Sequence, residues 1–214
     1  MDVRIRTERI DDLLFARRRP VLEIKIEYPV VSGNIPPRFE TMFNAGFLRR
    51  AREFNERARS VFYAAAKQRL NFCERFGFSF DFFICSEALT VTLATPHRIS
   101  LYMDRCVFTG ESRQNITRSA MTFSVKDSRR ILPPEIFRGT NVRRTVTEEI
   151  CRQIRQSDPS VSYLEDAEQR AVSHFNAEHF YLTTDGVCVF YPAGTIAPFD
   201  AGIRPFFVDN SLLM

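Results

Sequence analysis

The C-terminal part of the chain reads HFYLTTDGVCVFY over residues 179–191 and IAPFDAG over residues 196–202. Two apolar runs flank Asp185-Gly186 in the first stretch, a pattern that predicts a β-hairpin. The Asp-Gly pair is expected in its turn, because glycine accepts a positive backbone torsion at low cost. The second stretch is predicted to be an irregular turn shaped by its proline and glycine.

Two helices are predicted before this hairpin. An apolar stripe predicts the first from about Val142 to Gln156, and the second runs from about Tyr163 to Phe175. A short strand, Phe206 to Val208, is predicted to close the chain. This helix-helix-hairpin order predicts a smaller α/β subdomain over residues 131–214.

A long amphipathic helix dominates the first half of the chain. Apolar residues recur three and four positions apart from Arg38 to about Phe76, and Gly77 is predicted to end the helix. Charged residues fall largely on the opposite side. The apolar stripe is predicted to be buried on a sheet through Phe43, Phe47, Phe54, Val61 and Phe62.

Alternating residues predict the strands of that sheet. One strand, Leu22 to Tyr28, precedes the helix. Four follow it, over residues 78–84, 91–93, 99–103 and 121–125, with turns at Ser86-Glu87 and Pro96-His97. Short links between successive strands favour an antiparallel meander.

The whole pattern predicts an α+β fold, in which an antiparallel sheet with one long packed helix is followed by the smaller α/β subdomain. The predicted parts are an N-terminal hairpin arm over residues 1–20, a first subdomain over residues 21–130 and the second over residues 131–214.

Composition narrows the classes of function. The chain has 214 residues, 44% of them apolar, and a formal net charge of +4. Its arginines are interleaved with acidic residues, which makes a nucleic-acid partner unlikely. The Arg17-Arg18-Arg19 run is interpreted as a solvated hairpin turn, with a phosphate or RNA contact as the alternative.

The sequence contains no apolar stretch of the length that spans a bilayer, so no membrane insertion is expected. The first twenty residues lack the apolar core of a signal peptide. As given, the chain is therefore expected in the cytoplasm, or outside it if it is a fragment of a longer protein.

Five cysteines, odd in number and widely spaced without a CxxC motif, predict free thiols rather than disulfides. They are Cys73, Cys85, Cys106, Cys151 and Cys188. His174 and His179 lie five residues apart, which is not metal-ligand spacing on a helix, so no metal is expected. No nucleotide- or cofactor-binding motif occurs, and no cofactor is predicted.

The two C-terminal motifs together resemble the RsiV-type family of bacterial proteins. The resemblance extends from about Pro20, through YPVVSG at residues 28–33 and Phe43-Asn44, which look like the family's N-terminal partner domain. It implies the two-part fold. The family includes anti-sigma factors that sense lysozyme and domains attached to cell-wall polysaccharide deacetylases. Relatives often read YTGGAHG where this chain has FTGESRQ at residues 108–114, so the resemblance implies the fold rather than the ligand.

A non-enzymatic module that binds or senses a protein or a cell-wall glycan is the favoured function. A hydrolase acting on glycans or related polymers is the alternative. Two irregular loops, residues 109–114 and 193–204, are predicted to form the binding site, because loops held by strands often carry function. Phe199 would be an apolar anchor, and Asp200 would contact the ligand or hydrogen-bond its own turn. The alternative is that Pro198, Phe199 and Gly202 only shape the fold. The predicted binding residues are Thr109, Gly110, Glu111, Arg113, Phe199, Asp200 and Arg204.

Overall fold

The computed structural model describes residues 3–110, 115–137, 141–158 and 160–212. The chain divides into two compact units. The first contains the residues up to Leu89 and the segment from Met103 to Ile116, and the second contains Thr90 to Tyr102 and the chain from Thr117 onward.

Within the described residues, six strands form one sheet in the order of the chain. They are β1 (Val3–Ala16), β2 (Arg19–Gly33), β3 (Phe83–Ala94), β4 (Arg98–Phe108), β5 (Asn115–Ser124) and β6 (Arg129–Arg130). A long hairpin joins β1 to β2, and β5 also pairs with β6 in antiparallel fashion.

The predicted α+β class is confirmed, but the sheet is not antiparallel throughout. Strands β2 and β3 run parallel, with Leu22 opposite Phe83 and Ile26 opposite Glu87. The reason is the long helical segment between them, which is the kind of crossover connection that parallel neighbours require.

That segment is one helical run of three parts: α1 (Pro37–Arg57), a π-helical turn (Ala58–Phe62) and α2 (Tyr63–Phe76). The predicted helix is therefore present, and Gly77 ends it in the left-handed conformation with a φ of 73°. The π-helical turn was not predicted.

The π-helical turn corrects the predicted apolar stripe. Phe43, Phe47 and Phe54 are buried as predicted, and Phe62 is half-buried, whereas Val61 is 54% exposed. Ala58, Phe62, Ala66 and Leu70 follow Phe54 at intervals of four, which exceed the 3.6 residues of an α-helical turn. A π-helical turn takes more residues and keeps this stripe facing the core, which leaves Val61 outside.

The core of the first unit lies between this stripe and the sheet. Leu22, Ile24 and Ile26 of β2 and Cys85 of β3 are fully buried in the same cluster as Ala51 and Phe54 of α1. Because side chains of both the helix and the sheet are buried in one cluster, the helix packs on the sheet as predicted.

The strand bounds after the helix also differ from the prediction. The alternating residues 78–82 are not a strand, and β3 continues through the predicted turn at Ser86-Glu87. Glu87 was predicted to lie in a turn. It is instead buried in the strand, where arginines neutralise it.

The second unit follows the predicted order of elements. It contains α3 (Pro133–Ile136), α4 (Val142–Arg155), α5 (Ala167–Ser173), β7 (Phe180–Leu182), β8 (Gly186–Tyr191) and β9 (Arg204–Asp209). The three strands form a second antiparallel sheet in chain order. Val146 and Ile150 of α4 pack with Val187, Val189 and Tyr191 of β8 in its core.

The hairpin of β7 and β8 is confirmed, but the role of Gly186 is different. The amide of Thr183 donates to the carbonyl of Gly186, which places Thr184 and Asp185 at the centre of the turn. Gly186 already belongs to β8 and has no positive φ. Glycine is needed there because β9 passes too close for any side chain.

All five cysteines are free, as predicted, and all but Cys106 are buried. Among the described residues, no helix combines the length and the apolar character needed to cross a membrane.

Candidate functional site

A buried carboxylate in the first unit organises a group of arginines. Glu87 in β3 has a fully buried side chain, and Arg105 in β4 donates to its Oε2 from Nε at 2.9 Å and from Nη2 at 2.7 Å. The Nε of Arg50 in α1 lies 3.7 Å from Oε1. Because a buried charge is costly unless it is paired, Glu87 holds these cations in place.

An aromatic ring supports Arg105 from a second direction. Its Cζ atom lies 4.0 Å from the centroid of the Phe54 ring, close enough for a strong cation–π contact. Phe54 is itself buried in the core of the first unit. The guanidinium of Arg105 is thus fixed between a carboxylate and a ring, and its orientation is set before any ligand arrives.

These groups border a cavity of about 350 Å³, lined by Arg50, Glu53, Phe54, Arg57 and Arg105. The first four lie at positions i, i+3, i+4 and i+7 of α1, which places them on one face of the helix. Strand β4 supplies Arg105. We call this cavity the arginine pocket.

The charge of the arginine pocket is positive. Three arginines and one acidic residue, Glu53, line it, and the buried Glu87 lies beside two of these arginines. Glu53 is also 3.8 Å from Arg49 on the outer side of the helix. An arginine carries five N–H donors, of which Glu87 takes two from Arg105. The pocket can therefore offer charge-assisted hydrogen bonds to an anion, and a carboxylate suits the planar guanidinium group.

The nearby thiol of Cys85 is not a nucleophile at neutral pH. Burial, with a smaller contribution from the nearby Cys106, raises the pKa of Cys85 to about 12, although the charges of Arg105 and Arg57 act in the opposite direction. Because the thiolate is the reactive form, Cys85 is an inert core residue.

The first predicted binding loop is described in part. Thr109 and Gly110 are half-buried at the end of β4 in the first unit. Gly110 has a φ of 75°, and a methyl group there would lie 3.1 Å from the carbonyl oxygen of Asp81. Glu111 and Arg113 lie outside the described residues.

The second predicted loop belongs to the second unit. Phe199 and Asp200 are exposed in a short 3-10 helix, Phe199–Ala201. Within the described part of the chain, the Asp200 side chain makes no hydrogen bond, so the expected bond to its own turn is not formed. Arg204 lies over the ring of Tyr163 at 5.6 Å, and its Nη2 is 3.5 Å from the carbonyl oxygen of Ser162.

The structure thus places the predicted residues in two separate groups, Thr109 and Gly110 in one unit and Phe199, Asp200 and Arg204 in the other. Of these five described residues, none lines the arginine pocket. The pocket residues were not predicted, because the charged residues of the helix, Arg50 and Arg57 among them, were expected on its solvated side. A glutamate inside an apolar strand was the signal that could have located them.

Residues 134–211, which lie in the second unit, match the family model described as a protein of unknown function, DUF3298. This segment contains α4, α5 and all three strands of the second sheet. A search of curated proteins found no match.

Solved structures are similar over almost the whole chain. A member of the DUF3298 family from Bacteroides fragilis is 11% identical, with a TM-score of 0.70 over 98% of this chain and 91% of that one. A DUF3298 family protein from Pseudomonas aeruginosa is 14% identical, with a TM-score of 0.62 over 98% and 93%. At these identities the likeness shows the fold alone.

Proposed function

We propose that this chain is a non-enzymatic binding module and that the arginine pocket binds a carboxylate of an acidic protein or cell-wall glycan. The observation that carries the proposal is the position of Arg105, held between Glu87 and Phe54 at the edge of a cavity that Arg50 and Arg57 also line. A preorganised group of cations favours an anionic ligand because little ordering is needed on binding.

Binding suits these side chains better than catalysis does. Arginine stays protonated in proteins, so it orients and neutralises an anion but does not exchange protons with it. The nearby Cys85 is a neutral thiol at neutral pH. The pocket can therefore hold a ligand without carrying out a proton-transfer or nucleophilic step.

We also propose that the chain is an RsiV-like protein. The C-terminal motifs support this proposal, and so does the likeness of its fold to two DUF3298 structures over nearly the whole chain. Sensing modules of that family would need a ligand-binding surface, and the arginine pocket is the surface that we assign to this task.

Calorimetric titration of the protein with oligogalacturonate tests the pocket, with the methyl-esterified oligosaccharide as its uncharged counterpart. A glutamate-rich and a glutamine-rich peptide form the matched pair for a protein ligand. We expect at least one acidic probe to bind and its neutral counterpart to bind much more weakly. Arg57→Gln should weaken binding roughly ten- to a hundredfold, because one charge-assisted hydrogen bond is lost.

Arg52→Gln on the same helix is the control, since Arg52 is exposed and does not line the cavity. Equal losses in Arg52→Gln and Arg57→Gln would mean that the probe responds to net charge and not to the pocket. If Arg57→Gln binds like the wild type, the binding site lies elsewhere.

A further inference from the structure

A second surface of the first unit combines exposed aromatic rings with arginines. Phe72 and Phe76 lie one turn apart on α2, and their ring centroids are 4.8 Å apart. Gly77 then reverses the chain, so that Phe78 stacks on Phe72 at 5.8 Å with an interplanar angle of 8°. These three rings are 45%, 56% and 60% exposed, respectively. We call them the phenylalanine cluster.

Such a cluster is unusual on a surface in water. Large apolar side chains are normally exposed singly, whereas contiguous ones mark a surface that binds something. Phe82, further along the same segment, is also 42% exposed. We therefore expect a partner to cover these rings.

Basic residues surround the phenylalanine cluster. The guanidinium group of Arg69 lies 5.6 Å from the ring of Phe72, and that of Arg75 lies 5.4 Å from the ring of Phe76. Both arginines are exposed. An acidic surface would therefore be attracted to the same face that presents the apolar rings.

The turn between β1 and β2 brings further cations to the end of α2. Arg17 pairs with Glu74 of α2 at 2.9 Å, and Arg19 lies over the ring of Phe80 at 5.6 Å. These contacts fix the Arg17-Arg18-Arg19 turn against the end of α2. From the sequence, this run was interpreted as a solvated hairpin turn, with a phosphate or RNA contact as the alternative.

The backbone of this turn favours residues other than arginine. Arg17 and Arg18 have φ values of 48° and 66°, so both central positions of the two-residue turn are left-handed. Such turns prefer asparagine and glycine, and a left-handed arginine is strained. Two arginines at these positions indicate that their charge is needed at a cost to the fold.

We propose that this face docks on the surface of a membrane that contains anionic lipids. The phenylalanine rings would enter the interface between headgroups and acyl chains, and Arg69 and Arg75 beside them would contact the headgroups. This is association with one side of a bilayer and requires no spanning segment.

The ring geometry favours a lipid over a nucleic acid. Phe72 and Phe78 already stack on each other, and guanidinium groups lie over Phe72, Phe76 and Phe80. Bases need free ring faces on which to stack. Insertion into an apolar medium needs only exposed apolar surface, whatever the orientation of the rings.

Co-sedimentation with phosphatidylcholine vesicles, prepared with and without phosphatidylserine, tests the proposal. We expect the wild type to bind the vesicles that contain phosphatidylserine, and to be released by salt. The double variant Phe72→Ser/Phe76→Ser should lose at least tenfold in partitioning, because two apolar anchors are removed. Phe207→Ser, an exposed phenylalanine of the second unit, is the matched control and should bind like the wild type.

The variant Arg18→Gly distinguishes a loss of vesicle binding from a loss of thermal stability. Glycine accepts the left-handed backbone, so this variant should melt at a higher temperature than the wild type. It should nevertheless lose roughly fivefold in vesicle binding, which is the effect of one basic residue near an anionic surface.

Three results would overturn the proposal. The first is a wild type that ignores vesicles containing phosphatidylserine. The second is equal binding by the wild type, Arg18→Gly and the double phenylalanine variant. The third is tight binding to a fluorescent single-stranded oligonucleotide without binding to vesicles, which would assign the surface to nucleic acid.

Discussion

Gly186 in β8 lies against the backbone of Val208 in β9, and the space between them admits no side chain. A methyl group on Gly186 would overlap the carbonyl oxygen of Val208 and would lie 2.8 Å from the ring of Phe207. The close approach joins the hairpin to the last strand of the chain. It explains why glycine is present at a position whose backbone is ordinary β-strand.

Gly186→Ala should lower the free energy of unfolding by about 3 kcal/mol, because the overlap involves backbone that can move only with the strand. Urea unfolding followed by circular dichroism measures this. Gly46→Ala in α1 is the matched control: a methyl group there meets nothing within 4 Å. It should raise stability by about 0.5–1 kcal/mol, since alanine is the better helix former. An unchanged Gly186→Ala protein would mean that β9 does not approach β8 as described.

Alternation and helical spacing in the sequence predicted the helices, the hairpin and most strands, because these elements depend on which residues are apolar. A glutamate inside an apolar run could indicate a buried charge, but the pattern could not show which cations neutralise Glu87, because Arg50 and Arg105 lie in other elements.

Two further errors have local causes. The stripe from Phe54 to Leu70 allowed either an α-helix with Val61 inside or a π-helical turn with Val61 outside, and packing on the sheet decided between them. The Asp185-Gly186 pair suggested a turn with glycine at a positive φ, whereas contact with β9 was the actual requirement.

Glu87→Gln should destabilise the protein by about 2–3 kcal/mol, because it leaves the cations of Arg50 and Arg105 without their buried counter-charge. Both arginines retain some contact with water, which keeps the loss below that of a fully buried pair. Chemical denaturation at neutral pH measures the change. Glu148→Gln, which breaks the exposed pair with Arg144, should have almost no effect. Similar losses in both variants would contradict a special role for the buried carboxylate.

His179 should make the free energy of unfolding depend on pH between about 5.5 and 7.5. Burial lowers the pKa of His179, an effect that outweighs the opposing charge of Glu178, and its ring stacks on Phe190 at 5.0 Å. The unfolded chain therefore binds the proton more readily than the folded protein, so stability rises with pH through the ordinary histidine range. Conversely, stability falls as the pH is lowered from about 7.5 to 5.5.

Urea unfolding at these two pH values measures the difference, and His179→Gln should reduce it. The window lies above the range in which carboxylates titrate, so their contribution is small. A difference as large in His179→Gln as in the wild type would assign the effect to another group.

Asp200→Ala should leave the melting temperature nearly unchanged, because the side chain is exposed in the Phe199–Ala201 turn. Surface changes without a hydrogen bond or packing contact cost little. Differential scanning calorimetry measures this, with Ile196→Ala, a fully buried neighbour, as the destabilised reference. A marked fall in the melting temperature of Asp200→Ala would give this residue a structural role and remove it from the predicted binding loop.

The five cysteines should all react with iodoacetamide in denaturant without reductant, and intact mass should show five additions. In the folded protein, Cys106 should react first, because it alone among them is not buried. Cys106 is still partly covered, and this partial burial raises its pKa, so its rate should still be increasing at pH values above the ordinary range of a thiol. Cys106→Ser is the control and should remove the fast phase. Fewer than five additions in denaturant would indicate a disulfide, and fast modification of Cys85 in the native protein would show that β3 opens more readily than its packing allows.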